Sequence, residues 1–205
     1  MRAYLYVLAF AAGLVTLGTE LAASRLLAPF FGTSIVIWTS VIGLFLAALS
    51  AGYWLGGKLA DRSPRLFTVL RLVMIAAVLI GIAPDLARPV FGLAIKGMAA
   101  AKMGLLAGSF LSVMVLLGVP MILLGAVSPF AIRLATRQIE EAGRVSGRLY
   151  AISTLGSFLG AFLPVVFLIP SVGTRWTFVI FAILLLAVAL AGFLICGKPK
   201  WGVLS

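Results

Sequence analysis

Long apolar runs alternate with short clusters of charge and turn-forming residues along the whole chain. The runs cover about residues 3–27, 35–60, 66–83, 104–127, 149–169 and 175–195. Each is close to the ~20 residues a helix needs to cross a hydrocarbon core. The pattern predicts an all-α fold, a bundle of six transmembrane helices in a single integral membrane domain over residues 1–205. Punctuation supports the spacing. The first run stops at Ala28-Pro29-Phe30-Phe31-Gly32, because proline disfavours helix at the residue before it. Ser63-Pro64 and Ser128-Pro129 read as helix starts, a serine cap followed by a proline that needs no N–H. Pro120 lies inside the fourth run and predicts a kink, since it removes a backbone hydrogen bond.

Two stretches fit no crossing. Residues 84–102 carry Asp85, Arg88, Lys96 and Lys102 and read as an outer connection, interfacial or partly helical. From Ser128 to Arg144, the residues Arg133, Arg137, Glu140, Glu141 and Arg144 recur at three- and four-residue spacing and are expected on one exposed charged face. An interfacial helix and an extension of the fourth helix fit that stretch equally. Small residues repeat every fourth position at Ala48, Gly52 and Gly56, and again at Gly156 and Gly160. Such stripes let helices approach closely, either within the bundle or across a dimer face.

Composition sharpens this reading. The chain is 63% hydrophobic and 10% charged, with a mean hydropathy of +1.25, against roughly 45–50% and 25% for a soluble domain. The first segment has Arg2 and an apolar run like a signal peptide. The run is longer than the usual ~7–15 residues, and Glu20 stands where a cleavage region is uncharged, so an uncleaved first helix is expected. The net charge of +11 does not point to nucleic acid, because the bases sit at helix ends and in short loops. One side of the predicted bundle receives Arg2, Lys58, Arg62, Arg65, Arg71, Arg133, Arg137, Arg144, Arg148, Lys198 and Lys200. The other receives Arg25, Arg88, Lys96, Lys102 and Arg175. That bias predicts both termini on the cytoplasmic side.

Candidate chemistry is sparse. With no histidine and one cysteine, Cys196, the chain lacks the commonest zinc and haem ligand and cannot form an internal disulfide. No cofactor and no metal are expected. There is no paired-carboxylate site, P-loop or dinucleotide turn, so no enzyme activity is expected of this chain. One intramembrane constellation stands out: Thr16, Glu20 and Ser24, four residues apart on the first helix. The carboxylate lies roughly 25 Å along that helix. Acids at such depth are costly and mark ion or substrate paths or structural pairs. Two readings follow, a cation or proton site to which Trp38 adds a cation–π wall, or an ion pair with Arg25 or another helix's base.

The sequence GYWLGGKLADRSP at 52–64 carries a resemblance. Gly57, Asp61, Arg62 and Arg65 fall on the loop signature between the second and third helices of the major facilitator superfamily. Pro64 replaces the usual second glycine of that signature, and Leu66 stands where another base is common. With GTELAASRLLAPFFG at 18–32, Trp38-Thr39, and GRVSGRLYAISTLGSFLG at 143–160, the chain resembles the membrane domain attached to some bacterial spermidine synthases. The resemblance implies a half-facilitator fold in a bacterial cytoplasmic membrane, with Asp61 bracing the loop structurally. The soluble aminopropyltransferase half is not part of the match, so an enzyme, if involved, is expected on a separate chain. Facilitators bind substrate between two six-helix halves, so one half implies a homo-oligomer or a partner chain, membrane or soluble, in the lipid bilayer. Three functions follow as expectations. The first is a module binding, anchoring or transporting polyamine-like cations beside a synthase-like enzyme. The others are a half-size transporter acting as a homodimer and an accessory subunit scaffolding a larger complex.

Overall fold

The computed structural model describes residues 1–101, 104–136 and 138–196. Lys102, Arg137, Lys198 and Lys200, used above as charge markers, lie outside the described residues. The chain forms α1 (Arg2–Phe31), α2 (Ile35–Arg62), α3 (Leu66–Ala101), α4 (Leu105–Val113), α5 (Val119–Gly125), α6 (Val127–Ala135), α7 (Ala142–Phe162) and α8 (Ile169–Cys196). Wider π turns at Met114–Gly118 and Leu163–Leu168 join α4 to α5 and α7 to α8, and a 3₁₀ turn at Ile139–Glu141 precedes α7. The fold is all-α, with no strand among the described residues.

Five stretches are long and apolar enough to cross a membrane: Arg2–Phe31, Ile35–Arg62, Leu66–Met98, Leu105–Ala135 and Ile139–Ile195. The last holds 57 residues and folds back on itself. Along α1, Phe10 and Leu14 meet Gly156 and Gly160 of α7 in the same order, so α1 and α7 run parallel. Gly18 meets Phe181, while Tyr4 meets Gly192 and donates its hydroxyl to the Val188 carbonyl at 2.8 Å; α8 therefore runs antiparallel to α1. The reversal falls at Gly173, whose φ of +83° and ψ of 168° interrupt the helix. Only a residue without Cβ adopts that conformation freely.

The other pairings follow the same logic. Ser40 meets Ser109, Gly52 meets Ile122 and Gly125, and Gly56 meets Ala126, so α2 runs parallel to the α4–α6 stretch. Gly81 meets Ala182 and Phe67 meets Phe193, so α3 runs antiparallel to α8. The Ala48–Gly52–Gly56 and Gly156–Gly160 stripes are buried against these neighbours. They are packing seams inside the bundle, not a dimer face. The core beneath them is Leu5, Leu8, Val15, Phe45, Phe130, Phe178 and Phe181, all fully enclosed.

Several boundaries differ from the sequence expectation. The helix of α1 continues through Pro29 to Phe31 and closes at Gly32, φ +79°. Residues 84–101 are not a separate outer connection, because α3 runs on through Pro84 and Pro89 to Ala101. Each proline deletes one N–H bond, and packed neighbouring helices tolerate that loss. Ser63 does not start α3; its N–H donates to the Leu59 carbonyl at 2.9 Å and ends α2. Ser128 and Pro129 lie inside α6, in the first turn, where the missing proline N–H had no partner to lose. Instead of an open kink at Pro120, the Met114–Gly118 π turn directly precedes the proline's helix. Pro164 likewise lies within the second π turn, and such turns accommodate the broken ladder. Thr136, at φ −80° and ψ 121°, ends α6, so Arg133, Glu140, Glu141 and Arg144 do not share one helical face.

Candidate functional site

Thr16, Glu20 and Ser24 follow one another up α1, as their spacing predicts, on the side turned away from the deep line of Leu8, Val15 and Ala22. Thr16 and Glu20 are partly exposed, and Ser24 is buried. Among the described residues no hydrogen bond or ion pair engages the Glu20 carboxylate, and the ion pairs present involve neither Glu20 nor Arg25. The expected Glu20–Arg25 pair is therefore not formed. Ser24 turns its hydroxyl onto its own helix, donating to the Leu21 carbonyl at 2.8 Å. It shares a cavity of about 180 Å³ with Arg25, Thr33 and Trp38. Glu20 and Thr16 do not line that cavity, so the structure brings Ser24 and Trp38 together and leaves Glu20 one turn away. The cation nearest Trp38 in that cavity is Arg25, and the cation–π contact present in α2 is Lys58 over Trp54, 3.5 Å from the ring centroid. Thr19, beside Glu20, is fully buried with its hydroxyl unpartnered.

The loop motif holds the opposite end of the bundle. Gly57 and Asp61 line a cavity of about 340 Å³ with Tyr53, Pro129, Arg133 and Tyr150. Asp61 sits in the last turn of α2, and its carboxylate lies 3.5 Å from Arg133 Nε on α6. It ties α2 to α6 rather than bracing the α2–α3 turn. Arg62 and Arg65 are exposed. Close by, Arg2 donates from Nε to the Ala135 carbonyl at 3.1 Å and pairs with Glu141, which Arg144 approaches to 3.9 Å. Glu141 is not a solvated surface acid: only 14% of its side chain is exposed. Arg2 thus clamps the start of α1 to the end of α6 and the start of α7.

A larger cavity escaped the sequence reading. About 720 Å³ at the end where α1 finishes is lined by Arg25, Pro29, Phe30, Asp85, Arg88 and Arg175, among others. These charged residues come from three separate stretches of the chain, the end of the first apolar run, residues 84–102 and the start of the last run. The one local signal was the Asp85–Arg88 spacing, with Arg175 directly after a turn.

No family model, curated protein or solved structure matches the chain.

Proposed function

We propose that the chain is an integral membrane bundle of six crossings, resembling half of a facilitator-type transporter. In this reading it is a non-catalytic module that binds polyamine-like cations at Glu20. Both ends and the α2–α3 turn face the cytoplasm of a bacterial cell, where Lys58, Arg62, Arg65, Arg133 and Arg144 satisfy the positive-inside bias. Support for the half-facilitator arrangement comes from the helix pairing. Facilitator halves are built from two inverted three-helix repeats. Such a repeat maps crossings one, two and three onto four, five and six. It must then exchange the pair one–five with four–two and return three–six to itself. Parallel α1 and α7, parallel α2 and α4–α6, and antiparallel α3 and α8 have that pattern, and glycine backs both exchanged pairs.

The observation that carries the functional reading is the Glu20 carboxylate, partly exposed on α1 and without a counter-charge among the described residues. An acid at membrane depth requires a cation, a proton or a polar partner. A second unit set against the exposed side of α1 supplies the missing wall, and the cation is held between the two. The test is spermidine binding to protein reconstituted in nanodiscs, for wild type and Glu20→Gln. Wild type binds and Glu20→Gln, equally folded, loses about tenfold or more in affinity. Equal binding by both proteins would refute the assignment.

The accessory-subunit reading has its own support. α7 is buried only at Val145, Leu149, Gly156 and Gly160, leaving Leu155, Phe158 and Phe162 exposed. Extraction in mild detergent separates the readings: a self-contained homodimer favours the cation module, and recovery only within a larger complex favours the scaffold.

A further inference from the structure

The cavity at the far end of α1 has a chemistry opposite to that of Glu20. Arg25 comes from α1, Asp85 and Arg88 from α3, and Arg175 from the first turn after Gly173. Asp85 engages Arg175 through Nε at 2.9 Å. Among the described residues, Arg25 and Arg88 take part in no ion pair or hydrogen bond. Three guanidinium groups against one carboxylate leave the cavity with a charge of +2. The gathering runs against the charge bias of the rest of the chain, which keeps most bases at the opposite end.

The geometry points to a binding site for a phosphate-bearing anion in this cavity, with Arg25 and Arg88 as its principal ligands and Arg175 as a third, positioned by Asp85. Guanidinium presents a planar fork of donors that matches the oxygens of a phosphate in bidentate fashion, and arginine stays charged under all working conditions. The helix that resumes after Gly173 places Thr174 and Arg175 in the lining and adds the positive end of its dipole there. Leu26, Pro29, Phe30, Pro84 and Ala87 form the apolar part of the lining, and Phe30 makes an edge contact with Phe91, ring centroids 5.2 Å apart. A volume of about 720 Å³ exceeds what inorganic phosphate fills and leaves room for an organic phosphate. The same chemistry is offered by an anionic lipid headgroup and by a soluble phosphate, and the two differ in whether an acyl chain accompanies the anion.

Purified protein in neutral detergent tests the site with two probes. Short-chain phosphatidylglycerol is titrated by native mass spectrometry. Inorganic phosphate is titrated by thermal melting against chloride at matched ionic strength. Arg25→Gln and Arg88→Gln each weaken binding about tenfold, and the double variant about a hundredfold. Arg148→Gln, exposed and far from the cavity, controls for net charge and leaves binding unchanged. Arg88→Lys keeps the charge without the fork and falls between wild type and Arg88→Gln. It also decides the matter if the double variant melts too low to titrate. Arginine-dependent binding of the lipid alone assigns the site to a headgroup; the same dependence for phosphate assigns it to the free anion. If neither probe binds, or if Arg148→Gln weakens binding as much as the cavity variants do, the proposal is overturned.

Discussion

Replacing Gly156 with alanine adds one methyl group at the tightest seam of the bundle. An ideal Cβ at that position overlaps the Phe10 carbonyl oxygen and sits 3.0 Å from the Phe10 carbonyl carbon and 3.1 Å from the Leu14 amide nitrogen. All three atoms belong to the α1 backbone, so no flexible side chain can swing aside and α7 must move outward. The shift propagates, because Gly160 meets the Leu14 backbone and Gly13 meets Ser153 along the same seam. Overpacking of this kind costs about 1–3 kcal/mol, and a rigid backbone obstacle puts it near the upper limit. Alanine returns up to about 1 kcal/mol through helix propensity, leaving a net loss of about 2 kcal/mol. At this chain length that corresponds to a melting temperature about 4–8 °C lower. Gly43→Ala is the matched control. It lies in α2 with nothing within 4 Å of the added Cβ, so only the propensity gain of about 0.4–1 kcal/mol remains. Melting in one detergent, with both variants side by side, should move in opposite directions. A Gly156→Ala protein that melts with wild type, or two shifts of the same sign, would refute the seam.

Two ion pairs at the other end of the bundle should rank by burial. Glu141→Ala removes the partner of Arg2 from a site where the acid is only 14% exposed, and should cost about 1–2 kcal/mol in chemical unfolding. Asp61→Asn breaks a pair whose side chains are 77% and 52% exposed and should cost under about 1 kcal/mol, less still at high salt. The reverse order would mean that the loop motif, not the Arg2 clamp, closes this end.

The apolar runs made the helices legible, and glycine spacing marked both seams before their partners were visible. Boundaries at prolines were less legible. A proline signals a lost N–H, but whether the chain stops there depends on neighbours elsewhere in the sequence. Pro84 and Pro89 lie on an element buried at Ile80, Ala83, Ala87 and Phe91, and that packing carries the helix past them. The same limit applied to the sites. Thr16, Glu20 and Ser24 were found from four-residue spacing within one helix. The absence of a partner for Glu20, and the Asp61–Arg133 and Arg2–Glu141 pairs, depend on contacts between distant segments. Arg25, Arg88 and Arg175 could be counted in the sequence, but nothing local announces that three turns converge on one cavity.

The reversal at Gly173 underlies the whole arrangement. It folds residues 139–195 into two antiparallel helices and sets α7 parallel to α1. It also brings Arg175 beside Asp85 and creates the pairing on which the proposed inverted repeat rests. Sidedness measures it directly. Single cysteines at Ser63, Ser171 and Leu194, in a background with Cys196 replaced by alanine, are labelled in sealed vesicles with a reagent that does not cross the bilayer. The account predicts positions 63 and 194 on one side and 171 on the other. Finding 171 and 194 on the same side, or 63 and 171 together, would contradict the six-crossing bundle and the pairing built on it.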